Sequence, residues 1–240
     1  MGRCILRNLV DIFGEVVAGL GKLVHVNSVS VSGNVYTFSV DYTYWLRPKT
    51  QKSLATKIII DSVSYDIDSV VYNQSVTVIS STDLTNTSSF TINAPVYYNG
   101  TKIATNKRRK GQNSFNICPF VWIVEPFVTN ENKDRLSIIA AEPNIQIFFL
   151  DNRKFDNWIT SDAYSNVILQ MDELAQAFYE KMRNTRSVFG KITNWRVVRH
   201  AIFGKDADNG KVSSIFDETL AGVEVNFSVE ILKELISCQE

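Results

Sequence analysis

Residues 166–184, NVILQMDELAQAFYEKMRN, constrain the fold of this chain more than any other stretch. Val167, Met171, Leu174, Phe178 and Met182 recur at steps of three and four, the repeat that gathers apolar side chains on one side of a helix. Gln170, Asp172, Glu173, Gln176, Glu180 and Lys181 fall on the other side. No Gly or Pro breaks the run, and Lys181 and Arg183 stand in the last turn, where the helix dipole favours cations. Such a stripe must be buried against something, and its surroundings read as strand. The expectation is a helix laid on a sheet.

Four strands are legible around it. Val223, Val225, Phe227, Val229 and Ile231 alternate with Glu224, Asn226, Ser228 and Glu230, the period of a strand with one buried face and one wet face. Trp195–Phe203 is a second, preceding a polar loop at 204–218. Gln146–Leu150 is continuously apolar, which predicts burial on both faces. FNICPFVWIVEPF, residues 115–127, is rich in β-branched and aromatic residues and carries Pro119 and Pro126, tolerable at strand ends. Residues 130–135 read as a polar turn.

At the N-terminal side, residues 3–20 read as an amphipathic helix. Leu6, Leu9, Val10, Phe13, Val16, Val17 and Leu20 form an arc broad enough to touch two surfaces, and Gly19 and Gly21 supply a stop. From Val24 to Ala94 the character changes to alternating Val, Tyr, Ser and Thr, with turn signals at Ser32-Gly33-Asn34, Asp61-Ser62 and Asn73-Gln74. Pro48 and residues 49–53 read as a loop. About five short strands there predict a small antiparallel barrel or sandwich, placed as an insertion. Residues 95–113 read as a connector. The expected class is therefore α+β: a discontinuous domain, 1–23 plus 96–240, of order α-β-β-α-β-β with helices on one side of its sheet, and an inserted all-β domain at 24–95.

Composition excludes several functions. Lys plus Arg equal Asp plus Glu, 25 against 25, so the chain lacks the global field of a dedicated nucleic-acid or membrane-surface binder. Cys4, Cys118 and Cys238 are odd in number and far apart in sequence, which predicts free thiols in a reducing compartment. Arg3, Arg7, Asp11 and Glu15 interrupt the apolar start, against a secretion signal. No run of about eighteen apolar residues offers a membrane-spanning helix. The sequons at Asn73, Asn86 and Asn99 then read as products of an Asn/Ser/Thr-rich stretch.

Catalytic patterns are sparse. His25 and His200 are the two histidines, and both read as packing or surface residues. No nucleophile elbow, P-loop or dinucleotide fingerprint occurs, and the cysteines and histidines have no zinc spacing. Asp206-Ala207-Asp208-Asn209-Gly210 with Asp217 matches a calcium loop poorly, because Lys211 takes the glycine position. No catalytic residue, cofactor or metal is expected. Asp151, Asp156 and Asp162 are the carboxylates an acid-residue hydrolase would use, although carboxylates near a helix start also serve as caps. Tyr42, Tyr44 and Trp45 could face a ligand, in which case the β block is a monomeric binding module; their alternation favours the core. Lys107-Arg108-Arg109-Lys110 is the sharpest charge cluster, readable as the solvated tip of a surface loop or as a contact for a polyanion.

Three stretches together resemble a known family: PFVWIVEPF (119–127), IQIFFLDNRKFDNWITSDAYSNVILQM (145–171) and FDETLAGVEVNFSVEI (216–231). They are similar to the tail-terminator or tail-completion proteins of the head–tail connector of tailed bacteriophages, in the version found in phages of Bacteroides-type bacteria, the crAss-like phages among them. The likeness covers the first helix and roughly residues 114–232, and leaves out 24–95. It implies the topology α-β-β-α-β-β and a non-enzymatic virion protein of the neck or upper tail, made in the bacterial host cytoplasm. It further implies a homo-oligomeric ring around the DNA passage, with portal, adaptor or tail proteins as neighbours and no membrane partner. Lys107, Arg108, Arg109 and Lys110 would then touch genomic DNA transiently.

Overall fold

The computed structural model describes residues 4–6, 9–49, 54–110, 118–125, 128–131, 139–152, 160–204, 219–232 and 236–238. The first element is a short strand, β1 (Cys4–Leu6), so the N-terminal helix α1 begins later than its periodicity suggests, at Leu9–Ala18. Leu9, Ile12, Phe13, Val16 and Val17 are buried along it. Its end is set where Gly19 N–H still reaches the Glu15 carbonyl and Leu20 N–H turns back to Val17.

Seven strands follow between Lys22 and Ile92: β2 (Lys22–His25), β3 (Ser28–Ser32), β4 (Val35–Ser39), β5 (Lys57–Ile60), β6 (Val63–Val71), β7 (Ser75–Ile79) and β8 (Ser89–Ile92). All pair antiparallel in the order β2-β8-β5-β6-β7-β4-β3. The two ends of that order are consecutive in the chain. Val26 N–H continues the β2 ladder to Ser88 and Asn27 N–H opens the β3 ladder to Ser39, so one kinked strand leaves one end of the sheet and joins the other. The turns fall where the sequence places them. Gly33 takes φ +59° between β3 and β4, and Asp61 and Ser62 take +48° and +67°, the paired positive values of a tight hairpin. Tyr36, Phe38, Val40, Ile58, Ile60, Ile67, Val76, Val78, Phe90 and Ile92 fill the interior.

The second sheet holds β9 (Val96–Gly100), β10 (Phe120–Val124), β11 (Thr129–Glu131), β12 (Ile139–Asn152), β13 (Phe189–Gly204) and β14 (Thr219–Leu232), in the order β13-β14-β12-β10-β9 with β11 on β12. The expected connector at 95–113 is instead β9 followed by helix α2 (Lys102–Lys110), and β9 runs parallel to β10. A parallel neighbour needs a crossover, and α2 supplies it. The polar turn expected at 130–135 starts with β11, and its residues beyond 131 lie outside the described residues. Strand β15 (Ile236–Cys238) closes on β1, which sets Cys4 opposite Cys238 although they are far apart in sequence.

The organising helix starts earlier than expected, as α3 (Thr160–Ala163). It passes through a π-turn at Tyr164–Ile168 and continues as α4 (Leu169–Asn184). The extra residue of the π-turn lets Val167 and Ile168 both stay buried ahead of Met171. Gln170, assigned to the wet side, is buried instead. Phe13 of α1 lies at the meeting point, stacked on Phe178 and Phe189 with its edge to Phe227. Gly14 beside it leaves room for the Tyr97 ring, 3.1 Å from where a Cβ would stand, and the Tyr97 hydroxyl donates to the Val10 carbonyl.

Helices do not all lie on one side. Val121, Ile123, Ile147, Phe149 and the odd residues 223–231 face α1 and α4, in one core continuous with the seven-stranded sheet. Phe120, Trp122, Phe148, Leu150, Phe203 and Leu220 form a second cluster on the opposite face, where α2 packs. Both faces of residues 147–150 are thus buried, as their apolar run predicts. The fold is α+β, with antiparallel sheets and packed helices.

Candidate functional site

The cluster Lys107-Arg108-Arg109-Lys110 is helix rather than loop tip. A helix sends neighbouring residues to different sides, and the four cations separate accordingly. Lys107 and Arg108 are exposed, and Arg108 donates to the Asn99 side chain at 3.2 Å. Arg109 is buried, 5% exposed; its guanidinium lies 4.2 Å from the Phe120 ring centroid and its Nη2 is 3.8 Å from Cys118 Sγ. Lys110 closes the helix, its side chain outside the described residues. The structure therefore corrects the loop-tip reading, and of the described side chains it leaves Lys107 and Arg108 exposed while Arg109 is buried.

Arg109 belongs to a buried ionic site. Asp151, near the end of β12, is fully buried, and Arg47 Nε stands 3.1 Å from its Oδ2 with both side chains almost inaccessible. Asn152 N–H donates to Asp151 Oδ1 at 2.6 Å. Burial pushes the Asp151 carboxyl above its usual range, opposed by Arg47, by the Asn152 amide, by Arg109 and by Cys118. Arg47 comes from the segment after β4, so this pair joins the two sheets.

The remaining candidates disperse. Asp162 lies in the first turn of α3, and Asp156 falls outside the described residues. The loop 206–217 also lies outside the described residues. His25 is exposed on β2, and His200 Nε2 bonds Glu224 Oε2 at 2.9 Å. Burial would raise Glu224, but hydrogen bonds from Asn226, Gln146 and His200 hold it below the ordinary glutamate value.

The aromatic run divides too. Trp45 is fully buried and its Nε1 donates to the Asn93 carbonyl at 3.2 Å, whereas Tyr42 is 57% exposed. The alternation that favours the core fails beyond Val40, because β4 ends at Ser39 and Tyr44 turns at φ +49°. Tyr42 and Tyr44 instead line a recess of about 310 Å3 with Lys22, Glu173 and Glu180. Beside it Glu173 accepts from Tyr72 Oη at 2.5 Å and from Asn73 Nδ2 at 3.2 Å. Burial and that bond push the Tyr72 hydroxyl up to about 12. Sequence reasoning missed Arg47 and Glu173: each lies in a polar context, and its partner is about a hundred residues away.

No helix among the described residues is long and apolar enough to cross a membrane. No protein-family model, no curated protein and no solved structure matches this chain.

Proposed function

We propose that this chain is a structural subunit of a tailed-phage virion, joining others in a ring of the neck or upper tail around the DNA passage and acting by shape and copy number rather than by turnover. The observation that carries this reading is where the three resembling stretches fall. Residues 119–127, 145–171 and 216–231 contain β10, most of the apolar half of β12 and most of β14, which are neighbours in one sheet, and the start of the helix that crosses it. The likeness thus concentrates on one contiguous core. In this reading residues 24–95 are an insertion, and the fold around them is of the tail-terminator type.

Among the described residues the sheet also leaves an edge for assembly. Strand β13 is the terminal strand of its order and exposes Val197, Val198 and Ile202. A ring needs contacts that close by rotation, and a long edge strand is a surface on which they form. Among the side chains described, contact with genomic DNA from α2 falls to Lys107 and Arg108, Arg109 being committed to the core.

The test has two arms: native mass measurement of the purified chain, alone and with portal-side and tail-side neighbours from the same virion, and labelling of the chain in intact particles. The expected result is a closed homo-oligomer, alone or on a neighbour, and label at the junction of capsid and tail. A chain that stays monomeric with every neighbour, or particles without label at that junction, overturns the reading.

A further inference from the structure

In a chain of zero net charge, residues 181–200 hold Lys181, Arg183, Arg186, Lys191, Arg196 and Arg199 and no Asp or Glu. The fold sorts them. Lys181 leans toward α1, where its Cε lies 2.8 Å from the place a Gly19 Cβ would take. Arg199 is paired with Asp172 at 2.7 Å. Arg196 lines a separate groove with Gln146, Asn226 and Ser228. Arg183, Arg186 and Lys191, all exposed, stand around one recess of about 450 Å3 between the end of α4 and the start of β13. Among the described residues one carboxylate shares that recess, Glu230, and its Oε2 already accepts the Lys191 backbone N–H at 2.8 Å.

We propose that this recess binds the phosphodiester backbone of duplex DNA, without sequence preference. Two guanidiniums present planar forks that match phosphate oxygens, and the lysine adds a point charge. The mode is backbone contact rather than base stacking. Of the two aromatics lining the recess, Phe189 is buried, and Tyr179 has the Arg183 guanidinium 5.8 Å from its ring centroid and the Trp195 ring against it at 4.8 Å. An acidic peptide could meet the same three charges, but it would have to be ordered to do so. A duplex presents one charge per about 1.7 Å of its axis, already in place, to cations carried by a helix end, the turn after it and a strand. The proposal does not require a ring, since a monomer would carry the same surface.

Fluorescence anisotropy of a labelled duplex of about two helical turns, titrated with the full chain across a salt series, tests it. Three phosphate contacts give a slope of log affinity against log salt near −2.7 (about −0.9 for each contact). The triple variant R183Q/R186Q/K191Q is expected to lose that slope and bind at least about tenfold more weakly at low salt, while its circular dichroism stays unchanged because all three side chains are exposed. R183K/R186K should keep most of the slope. K49Q/K57Q, which removes exposed cations paired with Asp68 and Asp66 elsewhere, should keep all of it. Absence of binding at low salt, equal binding by the triple variant, or equal loss in K49Q/K57Q overturns the proposal. Displacement of the duplex by polyglutamate as readily as by polyphosphate of equal charge also overturns it, in favour of an acidic protein segment.

Discussion

Arg47→Met is the substitution that most directly questions the junction of the two sheets. Arg47 Nε lies 3.1 Å from Asp151 Oδ2, and the side chains are 3% and 1% exposed. At an effective dielectric near 20, unit charges at that separation attract by about 5 kcal/mol, against which the desolvation of both groups is set. Removing one partner of a buried pair costs about 3–5 kcal/mol, because the other charge stays behind uncompensated. Here Asp151 keeps the Asn152 amide and the field of Arg109, so the low end, about 3 kcal/mol, is expected. Urea unfolding reads this as a lower midpoint at unchanged slope, and a cycle with Asp151→Asn separates the coupling from the single costs. The pH dependence gives a second readout. Asp151 has its folded value raised by burial, so the proton it binds favours the folded state below the unfolded carboxylate range, and that advantage is lost as pH rises through the folded value. Deleting Arg47 removes the largest influence pulling that value down. The deficit of the variant should therefore shrink on acidification from neutral pH, as Asp151 takes up its proton. A loss below about 1 kcal/mol at neutral pH, or a deficit that grows on acidification, would refute the reasoning.

Three further outcomes follow from the same geometry. Phe13→Ala removes a ring that stacks on Phe178 and Phe189 and abuts Phe227, and should cost about 3–5 kcal/mol by urea denaturation. Gly222→Ala places a Cβ into the Phe149 carbonyl and 3.0 Å from Leu150 Cα, where β14 pairs with β12; a loss of about 3 kcal/mol or more should appear as a lowered thermal midpoint. Glu224→Gln should cost about 1–2 kcal/mol at neutral pH, since Gln146, His200 and Asn226 all bond that carboxylate. The folded value of Glu224 is depressed, so its contribution is present above the unfolded glutamate value and lost as pH falls through the folded one. Stability curves of wild type and variant should accordingly converge toward acid pH.

What the sequence determined by itself was every element whose pattern is periodic over several turns or pleats. Val167, Met171, Leu174, Phe178 and Met182 specify a helix face, residues 223–231 specify a strand with one wet side, and the turns at 33, 61–62 and 73 are written in residues that tolerate positive φ. These signals are local, and local sterics with burial suffice to enforce them. Tertiary structure decided what depends on pairing across the chain. Residues 96–100 are a strand because β10 offers them a parallel edge, and Lys102–Lys110 becomes a helix because the crossover between those strands demands one. Arg109 leaves a run of four cations for Phe120 and the field of Asp151, and Arg47 reaches that carboxylate from 104 positions away in the chain. A charge reads as solvated in sequence because water is its default partner. Only the packed molecule, by excluding water from Asp151, makes two particular arginines part of the interior.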